Sequence, residues 1–203
     1  MLVVLISGRG SNMRALVEAG LPVAAVISNR ADAAGLDYAR GRGIATAVVE
    51  HRAFTDRLQF EAALDREIRR FSPRLLALAG FMRVLSPGFV AHYRDRMLNI
   101  HPSLLPAFPG LDTHARALVA GVKVHGCTVH FVTGELDSGP IVVQAAVAVR
   151  PGDGAGELAE RVLAQEHVVY PRAVRWFLDD RLVIENGVVR VKGNDAQLVL
   201  AAP

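Results

Sequence analysis

Short apolar runs alternate with amphipathic stretches along the first half of the chain, and that alternation leaves few architectures open. Leu2–Ile6, Val23–Ser28 and residues 75–79 are continuous apolar segments of strand length, and residues 46–49 form a shorter one. Between them, Ser11–Glu18, residues 33–42 and residues 54–71 read as helices, the last with Leu58, Ala62 and Ile68 on its apolar side. Strands buried on both faces read as unbroken hydrophobic runs. Strands that alternate with helices build a mostly parallel sheet with helices on both faces. The expectation is an α/β, doubly wound, Rossmann-like sheet.

The second half keeps a different rhythm. Met97–His101 reads as a strand, and residues 128–132 and 141–149 are valine-rich strands joined by a loop. Residues 157–179 read as a helix that Pro171 kinks or breaks. Residues 182–184 and Val188–Val191 flank Asn186-Gly187, a hairpin signature. The sheet is therefore expected to be mixed, mostly parallel with antiparallel C-terminal strands. The 203 residues suit a single domain, 1–203, with the weakly patterned residues 193–203 as a mobile tail.

Charge and cysteine content narrow the function classes. Lys and Arg number 23 against 20 Asp and Glu, for a net charge of +3, and they are interspersed as in Arg66-Glu67-Ile68-Arg69-Arg70. No basic block marks a nucleic-acid surface, and small anionic substrates fit the same balance. Cys127 is the sole cysteine, so no internal disulfide can form. The apolar N-terminus stops at Gly8 and lacks a basic flank, which argues against a signal peptide. No stretch approaches the ~20 apolar residues of a membrane span. A cytoplasmic protein without membrane or nucleic-acid partners is expected.

Three segments carry candidate chemistry. Ser7-Gly8-Arg9-Gly10-Ser11-Asn12 follows the first strand and opens the first helix. Glycines admit an anion to backbone N–H groups at a helix N-terminus. A phosphate site and a plain capped turn both fit. A dinucleotide fingerprint does not, because Met13 takes the third glycine position and the second strand ends Ser28-Asn29-Arg30 without an acid. In Asn99-Ile100-His101, residues two apart share a strand face. An amide that donates to an oxyanion then stands beside an imidazole that moves protons, although a structural histidine fits as well. Asp137 lies in Gly134-Glu135-Leu136-Asp137-Ser138-Gly139-Pro140, where an aspartate capping its own turn is the simpler reading. His130, inside the preceding strand, fits a satisfied core residue equally well. The histidines lack the compact spacing of a metal site.

Together these segments resemble the folate-dependent formyltransferase family. The resemblance rests on Ser7 to Asn12, on Ala79-Gly80-Phe81-Met82-Arg83-Val84-Leu85-Ser86-Pro87, on Leu98 through Pro106, on His125 through Pro140, and on Gln165-Glu166-His167. It implies transfer of a formyl group from 10-formyltetrahydrofolate, as co-substrate, to the amine of 5-phosphoribosylglycinamide in purine synthesis, without a metal. It further implies Asn99, His101 and Asp137 as the catalytic trio, and Gly10, Ser11, Asn12 and Glu166 on the ribonucleotide. Arg57, Met82, Arg83, Val84, Leu85, Asn99, Thr133 and Asp137 would contact the folate. Members occur as monomers and homodimers. Ala107 and Leu163 depart from the residues common in relatives and bear on fine substrate contacts. Within the family, transfer to an initiator tRNA is expected to need a further C-terminal barrel. Hydrolysis of the formyl-folate is expected to need an N-terminal regulatory domain.

Overall fold

Five apolar residues without a polar interruption can only be satisfied in the interior, and β1 (Leu2–Ile6) is buried along its whole length. It pairs in parallel with β2 (Val23–Ser28) on one side and β4 (Leu75–Leu78) on the other. β2 in turn pairs in parallel with β3 (Ala45–Val48). The order β3-β2-β1-β4 means that the chain winds outward to β3 and then returns past β1. Such a reversal leaves a crevice beyond the carboxyl ends of the two strands that flank it, the usual ligand position in α/β sheets. The turn after β1 and the loop after β4 therefore occupy the place where a ligand is expected.

The computed structural model describes residues 1–201, and its chain divides into two compact units, Met1–Leu98 and Asn99–Pro203. In the first unit the connecting helices are α1 (Ser11–Glu18), α2 (Ala34–Gly41) and α3 (Arg57–Arg69). The helix expected at 54–71 is shorter because Asp56 caps it, its carboxylate accepting the Gln59 N–H at 2.9 Å. Phe54 lies outside the helix, after a 3-10 turn at His51–Ala53, yet packs edge-on against Phe60 at 6.1 Å. That packing explains its helix-like apolar signal. A short helix that the sequence reading lacks, α4 (Pro87–His92), is capped by Ser86 and begins on a proline, a favourable first position.

The second unit opens with the end of β5 (Met97–His101) and continues through α5 (Thr113–Val119), β6 (Val124–Phe131) and β7 (Ile141–Ala148). Then come α6 (Ala155–Leu178), β8 (Leu182–Glu185), β9 (Val188–Val191) and β10 (Leu198–Leu200). The strand order is β10-β7-β6-β5, with β6 antiparallel and β10 parallel to β7. β6 starts earlier than expected because the strands approach closely: a Cβ on Gly126 would lie 1.9 Å from the Ala145 carbonyl oxygen. The hairpin β8–β9 forms as expected, with positive φ at Asn186 and Gly187, 51° and 78°. Pro171, expected to kink or break the helix, does not break it: α6 runs unbroken through it. The ring is buried, and α6 packs along both β6 and β7, burial that outweighs one lost backbone bond. Residues 193–203, read as a tail, include β10, and Gln197 donates its amide to Val142 O at 2.7 Å. Residues 202–203 lie outside the described residues.

The mixed α/β class, parallel first and antiparallel later, is the one expected. Among the described residues no helix is long and apolar enough to cross a membrane.

Candidate active site

In the first unit, the glycine turn is built for close approach. Gly10 caps α1 at φ 72°, and no side chain caps the helix. A Cβ there would meet Met13 Cε at 3.0 Å and the Gly35 backbone at 3.1 Å. The Gly35 N–H donates to Gly8 O at 3.1 Å, which holds the turn against the start of α2. The N-terminus of α1 at this glycine turn is suited to an anion.

Ser7 ties this turn to the loop after β4. Its hydroxyl donates to Asn29 Oδ1 at 2.5 Å, and its oxygen accepts the Met82 N–H at 2.7 Å. The far end of the loop is anchored by the buried Glu61, which accepts the Ser86 N–H at 2.6 Å and the Ser86 hydroxyl. Between these anchors Met82, Arg83 and Val84 are exposed and Leu85 is buried. Met82 and Val84 thus offer apolar surface beside backbone groups held in place from both ends.

In the second unit, Asn99 and His101 stand two apart on β5, with Ile100 between them buried in the core. Asp137 reaches back to His101, its Oδ2 lying 3.4 Å from Nδ1. The same oxygen accepts the Gly110 N–H at 2.8 Å. The carboxylate is therefore spent on distant groups and not on its own turn, which is what the simpler reading of that loop required. Its backbone adopts φ 51°, a conformation Asp tolerates better than most residues. The loop's exit is as tight as its strand: a Cβ on Gly139 would fall 1.8 Å from Phe131 O. His101 Nε2 donates to Phe108 O at 3.1 Å. Both ring nitrogens face oxygens that only accept, so a ring carrying two protons is matched on both sides.

Buried and half-buried histidines gather around this cluster. The His114 and His125 rings meet edge to face at 5.3 Å, and Phe108 packs on His125 at 5.9 Å. Burial lowers the pKa of His114 and His130, and it takes His125 down to about 4, with help from the neighbouring His114 and His101 charges. A base whose folded pKa lies below its unfolded value contributes stability above the unfolded value, about 6.5, that is lost as pH falls toward the folded one. Stability should therefore fall between pH 6.5 and 4, by up to about 1.4 kcal/mol per pH unit from His125 alone. Urea unfolding across that range checks this. The His125→Gln variant should show a shallower slope, and an unchanged slope would contradict the assignment.

Of the residues expected from sequence, the structure groups Asn99, His101 and Asp137 in one cluster. It links Gly10, Ser11 and Asn12 to residues 82–85 through Ser7. Glu166 sits on α6 with its side chain buried; its carboxylate, after burial itself, raises the pKa of the Cys127 thiol on β6. Thr133 bonds within the loop, donating to Glu135 O at 3.3 Å. Arg57 is exposed at the start of α3, and no described contact joins it to the other expected residues. Among the described residues no group of three or more His, Cys, Asp or Glu is placed to hold a metal ion. Three participants were given no such role by the sequence: Ser7 as the bridge between segments, Glu61 as an anchor, and His130, which contacts both Asn99 and Asp137.

The sequence profile of the formyl transferase family matches residues 1–174. Phosphoribosylglycinamide formyltransferase of Escherichia coli (strain K12) is 48% identical over 198 residues, 95% of this chain and 93% of that protein. The trifunctional purine biosynthetic protein adenosine-3 of Homo sapiens is 45% identical over 92% of this chain, which spans 19% of that longer protein. Among solved structures, phosphoribosylglycinamide formyltransferase from Coxiella burnetii superposes with a TM-score of 0.91 at 47% identity, covering 95% of this chain and 93% of that one.

Proposed function

The chain belongs to the formyl transferase family, and from that premise we propose that it transfers a formyl group from 10-formyltetrahydrofolate to the amine of 5-phosphoribosylglycinamide in purine biosynthesis. It is a one-carbon transferase acting on small-molecule substrates. The reading takes residues 1–203 to act as a single formyltransferase domain, in the cytoplasm, as a monomer or homodimer, without nucleic-acid or membrane partners.

The contact between His101 and Asp137 at 3.4 Å, two residues along β5 from Asn99, is the observation that carries the mechanism. The glycinamide amine attacks the formyl carbon and a C–N bond forms. Negative charge grows on the formyl oxygen, where the Asn99 amide donates a hydrogen bond and the positive charge of a His101 ring carrying two protons stabilises it. Asp137 balances the charge on the imidazole. As the carbonyl re-forms, the bond from the formyl carbon to the folate nitrogen breaks. The proton lost by the amine balances the proton gained by the departing nitrogen, with His101 and Asp137 relaying it through water.

Gly10, Ser11 and Asn12 are assigned to the substrate phosphate, and Glu166 to the ribonucleotide. Met82, Arg83, Val84 and Leu85, with Arg57, Asn99, Thr133 and Asp137, are assigned to the folate. The close-approach glycine turn at the N-terminus of α1 supports the first assignment. The doubly anchored loop with exposed Met82 and Val84 supports the second.

The variant Gly10→Val tests the division of labour. A branched side chain at φ 72° is strained and meets the Gly35 backbone. It should weaken the ribonucleotide by at least about tenfold, the effect of roughly 1.4 kcal/mol, and leave the folate within about threefold. Calorimetric titration of each ligand separately reads both. Equal weakening of the two would point to a general folding defect and against a phosphate site at this turn.

A further inference from the structure

His130 is not among the residues assigned to the reaction above, yet its surroundings are more restrictive than those of an ordinary core histidine. The side chain is 2% exposed. Its Nδ1 lies 2.9 Å from Phe131 O, a carbonyl that can only accept, so Nδ1 carries a proton. A neutral ring has one N–H, and Nε2 is then a bare acceptor. That acceptor lies 3.2 Å from Asn99 Nδ2. The amide nitrogen must donate one of its two N–H groups to His130, and its second N–H, pointing about 120° away in a planar amide, remains available.

We propose that His130 is a positioning residue for formyl transfer, its Nε2 lone pair holding the Asn99 amide with the nitrogen, not the oxygen, available to the reacting formyl group. The inference rests on the assignment of Asn99 as the formyl-oxygen donor and adds what fixes its orientation. An asparagine amide turns over by a half rotation of its last torsion, and the flipped form offers a carbonyl oxygen that repels a growing oxyanion. A neutral imidazole rejects the flipped form, because two acceptors would then face each other. Burial keeps the ring neutral: it lowers the His130 pKa despite the Asp137 carboxylate, whose Oδ1 is 3.9 Å away. Position 130 thus needs an acceptor toward Asn99 and a donor toward Phe131, at opposite corners of one small side chain.

The test combines kinetics with a spectroscopic measurement on the native protein. His130→Leu removes the acceptor, and His130→Gln returns an amide oxygen near the Nε2 position. With both substrates supplied, His130→Leu should lower kcat by about tenfold, the scale of one net hydrogen bond, with KM for each substrate within about threefold. His130→Gln should recover most of the loss. In an Asn99→Ala background, His130→Leu should have no further effect. In the unliganded native protein, one Asn99 side-chain amide proton, identified by its loss in Asn99→Ala, should be shifted downfield and protected from exchange. The proposal is overturned if both Asn99 amide protons exchange as freely as those of an exposed side chain. It is equally overturned if the folded Gln variant is as slow as the Leu variant, or if the His130→Leu loss persists in the Asn99→Ala background. If Asn99→Ala itself keeps full turnover while its amide proton is protected in the native protein, the assignment of Asn99 fails, and the hydrogen bond is shown to be structural.

Discussion

Replacing His101 with alanine should lower kcat by about 10²–10⁴-fold, the usual range for a positioned general acid–base group. The fold should survive, because the ring's nitrogens engage only two partners, Phe108 O on one side and Asp137 on the other. Both substrates should still bind, since the α1 turn and the loop after β4 do not involve residue 101 and the Asn99, Thr133 and Asp137 side chains assigned to the folate are retained. Presteady-state measurement with both ligands saturating separates the chemical step from binding. A variant that loses affinity but keeps its rate constant would make His101 a binding residue and contradict its assigned role.

Asp137→Asn is expected to have an effect of similar size for a different reason. The amide has nearly the shape of the carboxylate and still offers an oxygen to the Gly110 N–H that the native Oδ2 accepts at 2.8 Å. The lost feature is the negative charge beside His101 Nδ1. Turnover should fall by about 10²–10⁴-fold with substrate affinities little changed, the pattern seen when the partner of a catalytic imidazole loses its charge. Because the two side chains touch, the double variant His101→Ala/Asp137→Asn should be little slower than the worse single variant. Fully multiplicative losses in steady-state kinetics would mean that the two act separately and that Asp137 serves only its loop.

The sequence carried most of the framework because apolar runs report burial directly. β1, β2 and α1 end where the hydrophobic pattern ends. It misreported ends and interruptions that side-chain bonds or packing decide. Phe54 reads as helical by its burial against Phe60, while the Asp56 cap starts α3 later. Pro171 reads as a break, yet α6 continues because both β6 and β7 pack against it. Leu198 and Leu200 in β10 are exposed, so nothing in their pattern distinguishes that strand from a tail.

The site was legible to the extent that its residues are close in sequence. Asn99 and His101 share a strand face by spacing alone, and the glycine turn announces itself by position. Asp137 did not, since an aspartate between turn formers has a local explanation. Only the path of the chain brings Gly110 and His101 to its carboxylate. His130 was hidden more deeply, inside an apolar strand. Its significance depends on which atom of Asn99 it meets, and no spacing rule carries that information. Ser7 and Glu61 act through backbone N–H groups of Met82 and Ser86, contacts that leave no mark on residue type.

In the proposed reaction, a formyl group passes directly from the folate to the glycinamide amine. This transfer is tested most directly by incubating the protein with 10-formyltetrahydrofolate alone, with 5-phosphoribosylglycinamide alone, and with both, and quantifying all products by mass spectrometry. Turnover is expected only with both substrates, the formylated ribonucleotide and tetrahydrofolate appearing in equal amounts, and formate absent. Release of formate and tetrahydrofolate from the folate alone, at a rate indifferent to the ribonucleotide, would contradict it and identify water as the acceptor.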